Sequence, residues 1–220
     1  MAEQLTFDLP ARPSLARGDF FVSPANSAAV AALDRPEDWV NHRLALVGPK
    51  AAGKTHLAHV FAEATGAEIV ASDALQSSDI ETMGSGTALV IEEVDQLDPA
   101  TEEAALHLVN LLAARAAPLL MTARTAPTRW LISLPDLKSR FEASSLARLD
   151  PPDDALFFQI ILKLFADRQI APEPALIPWL AARIERSFAA AERAVAALDR
   201  AALTGGKPVG RALAQQVLDI

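Results

Sequence analysis

Eight consecutive residues carry the most recognisable chemistry in the chain. Gly48-Pro49-Lys50-Ala51-Ala52-Gly53-Lys54-Thr55 follows the spacing G-x-x-x-x-G-K-S/T. Glycines at both ends of such a stretch let the backbone curl until successive N–H groups converge, which is how a loop cages phosphate oxygens. Lys54 supplies an ammonium for the β and γ charges of a nucleotide, and the Thr55 hydroxyl is placed to ligate Mg2+. His56 follows directly and is counted with the same cradle. His56 and His59 also share a helical spacing, but no third ligand accompanies them, so they read as helix-face histidines rather than a metal pair. Further along, Leu89-Val90-Ile91-Glu92-Glu93 ends an apolar run in two carboxylates. Glu92 is the candidate Mg2+ ligand and Glu93 the candidate base that activates water. Glu92 stands where aspartate is usual. The added methylene moves the carboxylate by about an ångström, and a displacement of that size can cost about a hundredfold in rate. The pair therefore points to nucleotide binding before fast turnover.

These groups need a scaffold, and the flanking patterns supply one. The short apolar run 43–47 enters Gly48 and reads as a buried strand, while 55–65 has Leu57, Val60 and Phe61 at helical spacing and is closed by Gly66. Strand, glycine loop and helix thus occur in the order that the phosphate motif requires. A helix is expected at 27–33, a second strand at 68–70, a helical turn at 79–82, a buried strand at 88–91, a helix at 99–114 with Leu106, Val109 and Leu112 on one face, and another strand at 118–122. Strands alternating with helices imply a parallel sheet covered on both faces, an α/β three-layer αβα domain.

Pro151-Pro152 interrupts this pattern, because paired prolines stop regular structure and stiffen a linker. Beyond them helices are expected at 153–168, 173–186, 189–203 and 209–218, which make a small all-helical domain. Before residue 18, Pro10 and Pro13 and the lack of any period predict a mobile arm. The expected divisions are an arm at 1–17, a nucleotide-binding domain at 18–150 and a helical lid at 151–220. Trp39, Trp130 and Trp179 read as packing residues rather than stacking platforms.

With 220 residues and 51% apolar content, the chain has ample core-forming material. A formal net charge of -8 is the wrong sign for a protein that grips phosphodiester over a broad surface. The absence of cysteine excludes disulfides, thiolate metal sites and cysteine nucleophiles, which suits a reducing cytoplasm. The acidic first residues do not form a signal peptide, and no stretch has the length of a membrane span. The expected location is cytoplasmic.

With these motifs placed, the chain resembles the DnaA branch of the AAA+ P-loop NTPases, and within it the Hda-like regulators. The segments that carry the resemblance are 48–57, Leu137-Lys138-Ser139-Arg140-Phe141, and an ending at Ile220 where DnaA continues into a DNA-reading domain. The resemblance implies that Arg140 is an arginine finger acting in trans on a nucleotide held by a neighbour. It implies that Gln4, Leu5, Phe7 and Leu9 form a peptide that docks on the sliding clamp of DNA polymerase (its β subunit). In the strand 120–124 it leaves Thr122 as the hydrogen-bonding group nearest the phosphate sensor. In the lid it has alanines where a sensor arginine is usual, with Arg193 one turn away as the substitute. The cofactors implied are ADP or ATP with Mg2+, ADP being the expected state. DnaA and the clamp are the implied partners, and a homodimer stays open. The function implied is negative regulation of replication initiation by stimulating hydrolysis of DnaA-bound ATP. The alternative is an autonomous ATPase of the helicase-loader kind that uses Glu93 for its own turnover.

Overall fold

Arg43–Val47 (β1) and Leu119–Ala123 (β4) are buried at every position. A strand that hides both faces belongs in the middle of a sheet with layers above and below it. The computed structural model, which describes residues 17–75, 83, 87–205 and 208–218, places them there. Glu68–Ala71 (β2), Leu89–Glu92 (β3) and Ser145–Arg148 (β5) complete a five-stranded sheet in the order β2-β3-β4-β1-β5. Every pairing is parallel, with Leu46 beside Thr122 and Leu44 beside Ser145. The two edge strands, β2 and β5, are the ones whose residues alternate with exposure.

Helices Ser27–Leu33 (α1) and Lys54–Thr65 (α2) pack on this sheet, α1 against β5 and α2 across β2, β3 and β4. Glu102–Ala114 (α3) and Pro135–Glu142 (α4) join Ala45, Val47, Leu89, Ile91, Leu119 and Met121 in one buried cluster. Alternate strand residues thus serve a helical layer. Trp39 stacks on Phe61 with ring centres 5.2 Å apart, and Trp130 meets Phe141 edge-on at 5.3 Å. Both indoles are core residues, as their sequence context suggests.

The chain divides into two compact units, Leu15–Pro151 and the segment from Pro152 onward. The second unit is helical: Asp154–Asp167 (α5), Leu176–Ala181 (α6), Phe188–Gly205 (α7) and Arg211–Val217 (α8). Asp153 caps α5, its carboxylate accepting the Leu156 N–H at 2.8 Å. Phe157, Ile161, Phe165, Trp179, Val195 and Leu198 form its core. Two details differ from the sequence reading. The helix expected over 173–186 is confined to α6, because Pro174 pushes Glu173 out of helical backbone and the chain leaves the helix after Ala181. The strand β5 is an addition. The arm, with Gln4, Leu5, Phe7 and Leu9, and the turn at 79–82 lie outside the described residues. Among the described residues no helix is long and apolar enough to cross a membrane.

Candidate functional site

The phosphate loop springs from the C-terminal end of β1, held between its two neighbours. The Gly48 N–H donates to the Ala123 carbonyl at 3.2 Å, and the Leu149 N–H donates to the Val47 carbonyl at 2.8 Å. The approach is so close at Gly48 that a Cβ there would sit 2.9 Å from the Leu149 Cβ and 3.0 Å from its carbonyl oxygen. Only glycine fits without moving β5's exit. The loop then turns on an Ala52 N–H to Pro49 carbonyl bond of 3.2 Å and enters α2 through Gly53, whose φ of 91° is left-handed. The first-turn N–H groups of α2, at Lys54 and Thr55, have no intrahelical acceptor and face out of the helix end. That end carries the positive pole of the helix, so the arrangement suits a polyphosphate.

Lys54 lies at the mouth of this loop, its Nζ donating to the carbonyls of Gly48 and Pro49 at 2.9 Å each. Burial holds its pKa below the ordinary lysine value, and nearby Arg124 acts in the same direction, while Asp95, Glu93 and Glu92 oppose it. Those four charged residues therefore share the field of Lys54. Thr55 is exposed and Glu92, the last residue of β3, is half-buried. Glu93 sits in left-handed backbone (φ 55°) immediately after the strand. Its conformation is fixed from both sides: its N–H donates to Thr122 Oγ1 at 3.1 Å, and its carbonyl accepts the Ser72 hydroxyl at 3.0 Å. Thr122, buried in β4, is thus the post that aims Glu93. The Glu93 carboxylate lies 3.8 Å from the Arg124 guanidinium.

Two contributors escape the sequence reading. Asp95 accepts the Arg124 N–H on Oδ2 at 3.0 Å, and its buried Oδ1 has no hydrogen-bond partner among the described residues. Its distance from the strand end hides it, since the turn Val94–Gln96 is what carries it back toward the site. The other is the segment before α1. Phe20 covers Gly53, its ring 2.9 Å from where a Cβ would stand, and meets the His56 ring edge-on at 5.2 Å. His56 is consequently buried. Phe21 and Val22 follow with exposed side chains, and Asn26 locks the turn by accepting the Ser23 N–H at 2.8 Å and donating to the Phe21 carbonyl at 2.9 Å.

The donor set suits Mg2+. It offers hard oxygen ligands in Thr55 and Glu92, with the unpartnered oxygen of Asp95 in the same electrostatic neighbourhood. Among the described residues no group of three or more His, Cys, Asp or Glu could hold a metal ion. A magnesium ion that takes most of its ligands from phosphate and water needs no such cage.

Two further predicted residues belong to other elements. Arg140 occupies the last turn of α4, its guanidinium 3.6 Å from Asp136 one turn back. Its carbonyl accepts the Ser144 hydroxyl, and β5 begins at the next residue, opposite Leu44 near the start of β1. Arg140 is therefore at the N-terminal end of the parallel strands, whereas the phosphate loop is at their C-terminal end. The five residues of β1 put about 15 Å between those ends. Arg193 belongs to the helical unit, where it is exposed on α7 and lines a groove of about 660 Å³ with Arg168, Arg183 and Arg200.

The parallel sheet, the loop after β1 and the acid-tipped β3 make this an AAA+ P-loop NTPase fold. No family model matches the chain. In particular, the chain is similar to the chromosomal replication initiator protein DnaA of Cutibacterium acnes. The two are 26% identical over 215 residues, which is 88% of this chain and 43% of the relative. The chain thus spans less than half of that protein. Among solved structures, domain III of DnaA from Thermotoga maritima superposes with a TM-score of 0.79 at 20% identity, covering 96% of this chain and 98% of that one. AMPPCP-bound DnaA from Aquifex aeolicus superposes with a TM-score of 0.68 at 19% identity, covering 89% and 68%. The fold is DnaA-like.

Proposed function

We propose that this chain is a nucleotide-bound regulator of replication initiation that acts on DnaA. One observation carries the reading: the phosphate loop and Arg140 occupy opposite ends of one sheet, so a single chain can hold one nucleotide and offer a cation to another. In this reading Gly48, Pro49, Lys50, Ala51, Ala52, Gly53 and the backbone of Lys54, Thr55 and His56 cradle the phosphates of ADP or ATP. The similar DnaA of Aquifex aeolicus carries AMPPCP, an adenine nucleotide analogue, which agrees with adenine as the base. Phe21 and Val22, exposed beside the covered Gly53, offer the apolar surface a base would use. Mg2+ held by Thr55 and Glu92 would screen the phosphate charge. Arg193 is assigned to the sensor role in the helical unit.

Arg140 then reaches a triphosphate held by DnaA, where a guanidinium stabilises the charge that grows on the phosphoryl group during transfer. In GTPases such a finger is worth about 10³ to 10⁵ in rate. Gln4, Leu5, Phe7 and Leu9 dock on the sliding clamp and bring the finger to replicating DNA. The test is hydrolysis of DnaA-bound ATP in the presence of clamp-loaded DNA, with and without the protein. Stimulation that disappears in Arg140→Ala supports the reading; stimulation that survives it, or none at all, sinks it.

A second reading, an ATPase turning over its own nucleotide, draws on the Glu93 carboxylate lying in the field of Lys54. In this structure that carboxylate is turned to Arg124, and Glu92 is the longer acid. Weak intrinsic turnover follows. Fast hydrolysis by the isolated protein that is lost in Glu93→Gln would favour this reading instead.

A further inference from the structure

Arg43 opens β1 at the end of the sheet where Arg140 stands, and it is an unusual residue to find there. It is only 6% exposed, in a strand whose other four residues are all apolar. Its Nε has no hydrogen-bond partner among the described residues, and the same is true of the buried Nε of Arg140. The two side chains are held in one neighbourhood by the backbone. The Val40 N–H donates to Ser145 Oγ at 2.8 Å, Asn41 Nδ2 donates to the Ala143 carbonyl at 3.5 Å, and Leu44 pairs with Ser145. The segment entering β1 is thereby laced to the segment joining α4 to β5. Asn41 and His42 turn through left-handed backbone, φ 52° and 58°, to make that approach.

Among the described residues no ion pair joins a carboxylate to Arg43, and Arg140 is paired with the exposed Asp136 on its own helix. Burial lowers the Arg43 pKa and the charge of Arg140 lowers it further, so the two guanidiniums repel. Folding alone gives no reason to bury the unpartnered Nε of an arginine, since an apolar residue of the same length packs as well or better. A second cation behind an anion-seeking one has a use, however. It pushes the outer guanidinium off the sheet end, and it is relieved when a polyphosphate arrives in front.

We propose that Arg43 is a positioning residue for Arg140, forming with it a two-guanidinium receptor for the terminal phosphate of a nucleoside triphosphate held by a neighbouring P-loop protein. Arg140 touches the phosphate and Arg43 sets its reach. The inference rests on the reading of Arg140 as a finger acting in trans.

The experiment measures hydrolysis of DnaA-bound ATP on clamp-loaded DNA against the concentration of wild type, Arg140→Ala, Arg43→Met and Arg43→Lys, with the melting temperature of each protein. Arg43→Met should lower the maximal stimulation by about tenfold or more, as misplacement of a catalytic group does. The concentration giving half of that maximum should change little. Its melting temperature should equal or exceed that of wild type, because a desolvated charge has gone, and Arg43→Lys should restore most of the stimulation. A melting temperature that falls together with stimulation makes Arg43 a purely structural residue and overturns the inference. Wild-type stimulation by Arg43→Met, with none by Arg140→Ala, overturns it while leaving the finger reading intact. Undiminished stimulation by Arg140→Ala removes the finger reading, and the inference with it.

Discussion

Lys54 is an ammonium held partly out of water at the mouth of its loop, and on the proposed reading its protonation decides what the loop can hold. Its pKa is depressed, mainly by burial. The charged form is the one that meets phosphate, so affinity for ADP should be flat near neutrality and fall as pH is raised through the depressed value, before the ordinary lysine value of 10.5 is reached. The folding sign is opposite. Between the depressed and ordinary values the unfolded chain binds more protons than the folded one, so the nucleotide-free protein should gain stability with pH across that window. Titrating ADP binding and melting temperature over the same pH series checks both signs; affinity that stays constant to the top of the window contradicts the assignment. Thr122 makes a second prediction at this scale. Its hydroxyl accepts the Glu93 N–H inside the fold, so Thr122→Val leaves that donor unpaired and should cost about 1 to 2 kcal/mol, readable in denaturant unfolding. Lys54 was legible in the sequence because its partners are the adjacent residues of one loop. Asp95 and Phe20 were not, since each becomes a neighbour of that loop only through tertiary packing.

Elements explain why Arg140 is where it is. The central strands β1, β3 and β4 were legible as unbroken apolar runs, and α2 as a helix bounded by Gly53 and Gly66. Strand β5 was not: Ser145–Arg148 mixes polar and apolar residues because an edge strand answers to solvent as well as to the core. Missing it hides the sheet end near which Arg140 and Arg43 lie. Helix α4 owes its placement to Glu102, the first residue of α3, which is 1% exposed. Its carboxylate accepts the N–H groups of Ser133 at 2.8 Å and Leu134 at 2.7 Å, the residues that lead into α4. Glu102→Gln replaces an acceptor pair with one acceptor and one donor facing N–H groups. It should cost about 2 kcal/mol of stability, and it should reduce stimulation of DnaA-bound ATP hydrolysis by loosening the helix that carries Arg140. Urea unfolding and the hydrolysis assay together check this; unchanged stability would show that the carboxylate bonds contribute nothing.

On the proposed reading, the molecule as a whole is an acidic chain, net charge -8, that works through held nucleotide and protein partners rather than through a basic surface. The sequence announced the parallel sheet through alternating strands and helices, and the helices beyond Pro151-Pro152 through their apolar spacing. Which end of the sheet Arg140 occupies was not legible, because that is a property of strand order rather than of any local pattern. All of this depends on the loop at 48–55 closing around a polyphosphate. The most direct test is equilibrium dialysis of the purified protein against ADP with Mg2+, beside Lys54→Ala. The account predicts saturable binding by the wild type, at one ADP per chain, and a large loss in the variant. Absence of binding at millimolar ADP, or equal binding by both proteins, contradicts it.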